Sequence, residues 1–278
     1  MDKFEQKQKN KNIFEIAIIL IMCVTMLLFD AINVSFIKDV RRNSCLVGTM
    51  QQLCGSIAVI LLMKRLKMHV FSKVENLLFL LPCLIIAIDN FPFYSYFSGN
   101  MQFIPFEIWD VLLFLCYCIC IGVFEECVFR GILFSVLAEH FGNNRKGFLK
   151  TYVVSSLVFG LAHLFNLFAG AGIGPTLLQV GYTILTGGLF CFAFIKTKNI
   201  LCAAGVHAVY NFCGLLLSEQ GIGTGIVFDL GTTLTMLIVS VLVGGFILYK
   251  VWKYPENERI TLYERIGVRK CNPTDMQL

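Results

Sequence analysis

Residues 118–137, CICIGVFEECVFRGILFSVL, read as a membrane-spanning helix with Glu125, Glu126 and Arg130 in its middle. A charged side chain at a helix centre costs roughly 2.5–3.5 kcal/mol on insertion scales. Three unpaired charges in lipid would cost on the order of 8–10 kcal/mol. A chain that keeps them must pair them or turn them toward a polar cavity. The surrounding composition makes the membrane reading firm. The chain has 278 residues, 57% of them hydrophobic and 15% charged, against about 25% charged in soluble domains. Phe occurs 26 times, more often than Lys and Arg together at 23.

Apolar runs of about 18 or more residues mark spans. They fall near 13–36, 45–63, 75–90, 107–136, 150–168, 176–195, 199–217 and 230–250. The expected fold is all-α, a polytopic membrane bundle of about eight transmembrane helices around a polar intramembrane site. The third span is cut short by Asp89, Asn90 and Pro92. The fourth is long enough to form two pieces or to run partly along the interface. The first run is too long for a signal peptide and lacks a small-residue cleavage site, so it reads as retained.

This divides the chain into a basic leader (1–12), three helices (13–106), a core (107–217), a last helix (218–251) and a polar tail (252–278). Basic residues crowd the leader, the alternate links after the second, fourth and sixth spans, and the tail. Lys and Arg collect on the cytoplasmic side, so both termini are expected in the cytoplasm and the chain is expected in the cell membrane. The segment KDVRR (38–42) breaks the pattern. Re-entrant or strongly tilted first helices would reconcile it, and the sequence leaves this open. The net charge of +5 is therefore a topology signal and not a nucleic-acid footprint. No P-loop or dinucleotide fingerprint is present. The twelve cysteines lie mostly in apolar runs without zinc or CxxC spacing, which suits packing.

Polar groups inside spans narrow the function. The fourth span holds Glu125, Glu126 and Arg130, the fifth His163, and the seventh His207 and Asn211. Only four histidines exist in the chain, and two of them lie in spans. Intramembrane ionisable groups face the bundle interior and mark functional sites. Glu126 and Arg130, at i and i+4, share a helix face, as do His207 and Asn211. Glu125 lies about 100° round the helix from Glu126, so the two carboxylates have different tasks. Each feature alone has an ordinary structural reading, as an ion pair or interhelical glue. Together they supply a base, imidazoles and hydrogen-bond donors, the inventory for water-mediated acyl hydrolysis.

EECVFR (125–130), FGLAH (159–163) and HAVYN (207–211) resemble, in order, the EExxxR, FxxxH and HxxxN motifs of the CPBP family. That family comprises the CAAX proteases and bacteriocin-processing (Abi) proteins, glutamate-type intramembrane endopeptidases. The resemblance covers about residues 107–217. It implies that Glu125 activates water, that His163 helps hold it, that His207 and Asn211 form an oxyanion hole, and that Glu126 and Arg130 are the supporting pair. It implies metal-independent hydrolysis and no cofactor. A His₂Glu zinc set of Glu125, His163 and His207 is the alternative on donor chemistry, without an HExxH motif. The expected partners are a peptide or membrane-protein substrate and membrane lipid, with no nucleic acid. The Lys, Asn, Ile and Phe bias points to a bacterial source. There the expected task is to mature or degrade a small peptide or leader: a bacteriocin, a signalling peptide or a membrane protein. The competing class is a non-catalytic immunity or regulatory scaffold.

Overall fold

The computed structural model describes residues 34–268 apart from 169, 219 and 226–228. The leader, residues 13–33 of the expected first span and the last ten residues lie outside the described residues. The other seven expected spans are present as helices. Six are long and apolar enough to cross a membrane, and a seventh, Ile200–Leu215, is shorter at 16 residues. The molecule is the all-α polytopic bundle that the apolar runs predict.

Helix α1 (Val40–Arg65) is a full 26-residue helix capped by Asp39, whose carboxylate accepts from the Arg42 amide. A 3₁₀ turn (Leu77–Phe79) leads into α2 (Leu80–Asp89), and α3 (Phe93–Phe97) follows after a break. Pro92 has no amide hydrogen to continue the helix. At the break the Asn90 side chain donates to the Tyr210 carbonyl at 2.9 Å. Helix α4 (Ile108–Glu126) opens with a capping box between Glu107 and Asp110, runs into a π-helical segment (Cys127–Leu133) and continues as α5 (Phe134–Phe141). The long fourth span is thus one continuous rod with a wide turn in its middle. Helix α6 (Arg145–Ala162) ends in a 3₁₀ turn, His163–Leu167. Helices α7 (Ile173–Thr197) and α8 (Ile200–Leu215) follow, then α9 (Leu230–Trp252) and the short α10 (Glu256–Arg265). Strands β1 (Met101–Phe103) and β2 (Gly223–Gly225) pair antiparallel and join two links at one end of the bundle.

Small residues set the helix spacing, as they do where no hydrophobic force separates helices from lipid. On α1, Gly48 lies against the Tyr117 ring and Gly55 against the Phe124 ring. Both partners are on α4, seven residues apart like the glycines. Gly122 on α4 meets the Ala204 carbonyl of α8, where a Cβ would sit 2.6 Å from that oxygen. Gly160 of α6 fits against the Val180–Ile184 turn of α7 in the same way.

Arg42 of the KDVRR segment has a local partner. Arg42 donates to both carboxylate oxygens of Asp110, at 2.6 and 3.1 Å, and lies 3.4 Å from Glu107. Its charge is neutralised at the start of α4. The opposite end of the bundle gathers the other basic links. Lys198 pairs with Glu75 at 2.6 Å, Arg265 pairs with the same carboxylate, and Lys196 pairs with Glu258 at 3.0 Å. Lys198 adopts φ 52° in the tight turn between α7 and α8, and Asn199 caps α8 by accepting from the Leu201 amide. Helix α10 folds back over this end and buries Leu262, Tyr263 and Ile266.

Two carboxyls outside the spans titrate low. Lys198, with Arg265, holds the Glu75 carboxyl below the usual range. Hydrogen bonds from Ser95, the Thr232 amide and Asn100 hold Asp229 at about 2. An unperturbed Asp titrates near 3.9, so the folded state binds this proton more weakly than the unfolded chain. The contribution of Asp229 to stability is full above about pH 4 and is lost as pH falls through about 2. Thermal unfolding of detergent-solubilised protein should show a wild-type advantage over Asp229→Asn at pH 6 that shrinks toward pH 2. A constant difference across that window would contradict the assignment.

Candidate active site

The site begins where α4 loses its regular winding. Glu125 and Glu126 are the last two residues of α4, and Arg130 lies inside the π segment that follows. A π turn adds a residue per turn and is frequent at functional sites. Here the segment packs closely, since a Cβ at Gly131 would stand 2.6 Å from the Met63 methyl and 3.3 Å from Ile200.

Glu126 and Arg130 are both fully buried. Their closest atoms, Oε2 and Nε, are 3.2 Å apart, as the i,i+4 spacing predicts. The N–H is not aimed at the oxygen, so this is an ion pair without hydrogen-bond geometry. Arg130 gains a directed bond elsewhere, donating from Nη2 to the Gly187 carbonyl at 2.8 Å. Its guanidinium lies 4.3 Å from the Phe159 ring centre, with Phe190 and Phe129 at 5.8 and 6.0 Å. A weakly hydrated, planar cation suits such an aromatic nest.

The other oxygen of Glu126 reaches α8. His207 Nδ1 is 2.9 Å from Glu126 Oε1, and His207 Nε2 is 3.8 Å from Glu125 Oε2. The close approach of Gly122 to the Ala204 carbonyl, one turn away on each helix, makes this contact geometrically feasible. One imidazole therefore touches both glutamates, through different nitrogens. Glu125 differs from its neighbour in environment: its side chain is 22% exposed and makes no hydrogen bond among the described residues.

His163 lies at the end of α6, half-buried, with Nδ1 3.1 Å from the Phe159 carbonyl. With Nδ1 donating there, Nε2 is left as a free acceptor. No hydrogen bond or ion pair joins His163 to the other five candidates among the described residues. Its link to them is the Phe159 ring, edge-on to His163 at 5.3 Å and to His207 at 5.9 Å. Asn211, one turn beyond His207, is half-buried and makes no hydrogen bond among the described residues. The structure thus joins Glu125, Glu126, Arg130 and His207 directly, His163 through a ring, and Asn211 by its place on α8. The donors Glu125, His163 and His207 do not gather as a metal-binding group among the described residues.

Two participants escaped the sequence reading as site residues. Phe159 was visible only as the first letter of its motif, and its contacts with Arg130 and both histidines were not. Phe190 of α7, stacked on His207, is one of 26 phenylalanines and carries no sequence signal.

Removing the cation alone strands a buried carboxylate, which costs roughly 3–5 kcal/mol. Arg130→Met should therefore lower the unfolding temperature sharply. Glu126→Gln combined with Arg130→Met should recover part of the loss. A double variant no more stable than the single one would show that the pair does not neutralise itself.

No curated protein and no solved structure matches the chain. Residues 107–213, which contain all six candidate residues, match the family model described as "Type II CAAX prenyl endopeptidase Rce1-like", in agreement with the CPBP and CAAX protease family that the three motifs resemble.

Proposed function

We propose that this multi-pass membrane protein is a CAAX-type intramembrane endopeptidase whose Glu125 activates the attacking water. The observation that carries this reading is the unequal treatment of two adjacent glutamates. Glu126 is fully buried, held between Arg130 and His207. Glu125 is partly exposed, with His207 Nε2 3.8 Å away and no hydrogen bond among the described residues. Charge neutralisation belongs to the first, and proton transfer to the second.

The proposed steps are these. Water between Glu125 and the free Nε2 of His163 gives its proton to Glu125 as it attacks the scissile carbonyl. General-base help of this kind is worth typically 10²–10⁴ in rate. The carbonyl oxygen becomes an oxyanion and meets the amide of Asn211. His207 joins as a donor through Nε2 when its ring carries both protons, with Glu126 holding the one on Nδ1. Each such donor is worth about 10²–10³. Collapse breaks the C–N bond, and Glu125 returns the proton to the departing amine. No metal enters these steps.

The family match supports a peptide or protein substrate that meets the enzyme in the membrane. We place the basic end of the bundle, with α10, at the cytoplasmic surface, following the positive-inside rule. Removal of a leader or maturation of a small peptide in a bacterium fits the composition.

Peptides from cells expressing the wild type and Glu125→Gln at matched levels test the reading. A peptide shortened only by the wild type is the expected result and would also identify the substrate. Identical peptides, with any phenotype rescued equally by both forms, would mean that the protein works by binding. Once a substrate is known, incubation with a chelator should leave turnover unchanged. A loss reversed by added zinc would replace the water-activation scheme with a metal one.

A further inference from the structure

We propose that Phe190 is a positioning residue that fixes the plane of His207 and so aims Nε2 at the reacting atoms. This rests on the reading of the site as a protease and extends it to a residue outside the three motifs. A single hydrogen bond from Nδ1 to Glu126 still lets the imidazole rock about its side-chain torsions, carrying Nε2 sideways. Something must remove that freedom, because an error of about 1 Å at a reacting group can cost on the order of 10²-fold in rate.

The Phe190 ring does this. It lies parallel to His207, with centroids 4.2 Å apart and planes 13° apart. This stacked contact blocks rotation toward that side. Phe190 is itself held by its neighbours, edge-on to Phe159 at 6.1 Å and to Tyr210 at 5.8 Å. It is buried, and its ring cannot yield without disturbing the core. The Arg130 guanidinium, 5.8 Å from the same ring, ties it to the carboxylate that holds the other edge of His207. The hydrogen bond sets where Nδ1 is, and the stacked ring sets where Nε2 points.

Phe192 provides a matched comparison. It lies on the same helix, is equally buried, and meets Phe79 edge-on at 6.0 Å. Losing its ring removes similar packing without touching His207. The test uses the full chain labelled with ¹³C-histidine in lipid nanodiscs, where only four histidines need assignment. The ring signal of His207 is identified by its loss in His207→Gln, with His69 and His140 as internal references.

In the wild type and in Phe192→Leu, His207 should give one sharp Cε1–H signal. In Phe190→Leu it should broaden or split, while His69 and His140 stay unchanged. Against the peptide that the wild type cleaves, Phe190→Leu should lower kcat 10–100-fold with KM held, and Phe190→Tyr should restore most of it. A sharp His207 signal in Phe190→Leu, or equal broadening in Phe192→Leu, overturns the proposal. Should Phe190→Leu fail to fold, Phe190→Met carries the same test. A wild type that cleaves nothing, with a His207 signal that depends on Phe190, overturns the protease reading and leaves the role of the ring standing.

Discussion

Glu126 is the fixed point of the molecule. Its two oxygens join a fully buried arginine to a histidine on another helix, within a span that would otherwise repel every charge it holds. The ion pair makes Arg130 tolerable in lipid. The hydrogen bond draws α8 onto α4, at a depth set by the small residues one turn away. Neither half works alone. Without Arg130 the carboxylate is an uncompensated buried charge, and without Gly122 the helices stand too far apart for His207 to reach it. The other polar groups of the candidate site are arranged around this pair, and Glu125, partly exposed, stands outside it.

The aromatic packing around the pair is part of its electrostatics. Phe159 meets Arg130 with its face and both histidines with its ring, so one side chain links the three motifs. A phenylalanine at the head of the FxxxH motif then has a physical reason. It covers the cation, excludes water from the ion pair, and offers its own carbonyl to orient His163.

Much of this was legible in the sequence because membranes make polar residues conspicuous. The runs of apolar residues fixed seven helices in the described residues to within a few positions, and the i,i+4 spacing of Glu126 and Arg130 predicted their pairing. What could not be read was contact between helices. That His207 bonds Glu126 depends on Gly122 meeting Ala204, and glycine in a span has many uses. The π segment after Glu126 left no mark in CVFRGIL, which reads as ordinary apolar helix. Arg42 looked like a topological anomaly because its partner Asp110 lies 68 residues away. Phe190 was hidden among its own kind.

Helix α8 carries a consequence of a different sort. Its 16 residues rise only about 24 Å at 1.5 Å per residue, against a hydrocarbon core about 30 Å thick. A helix too short for its bilayer thins the lipid around it or draws its flanking turns inward. Either response lowers the aqueous boundary toward His207 and Asn211, which sit on this same helix. On the proposed reading, hydrolysis inside a membrane consumes a molecule that oil does not hold, and a deficit of about four residues in one helix would keep that second reactant within reach.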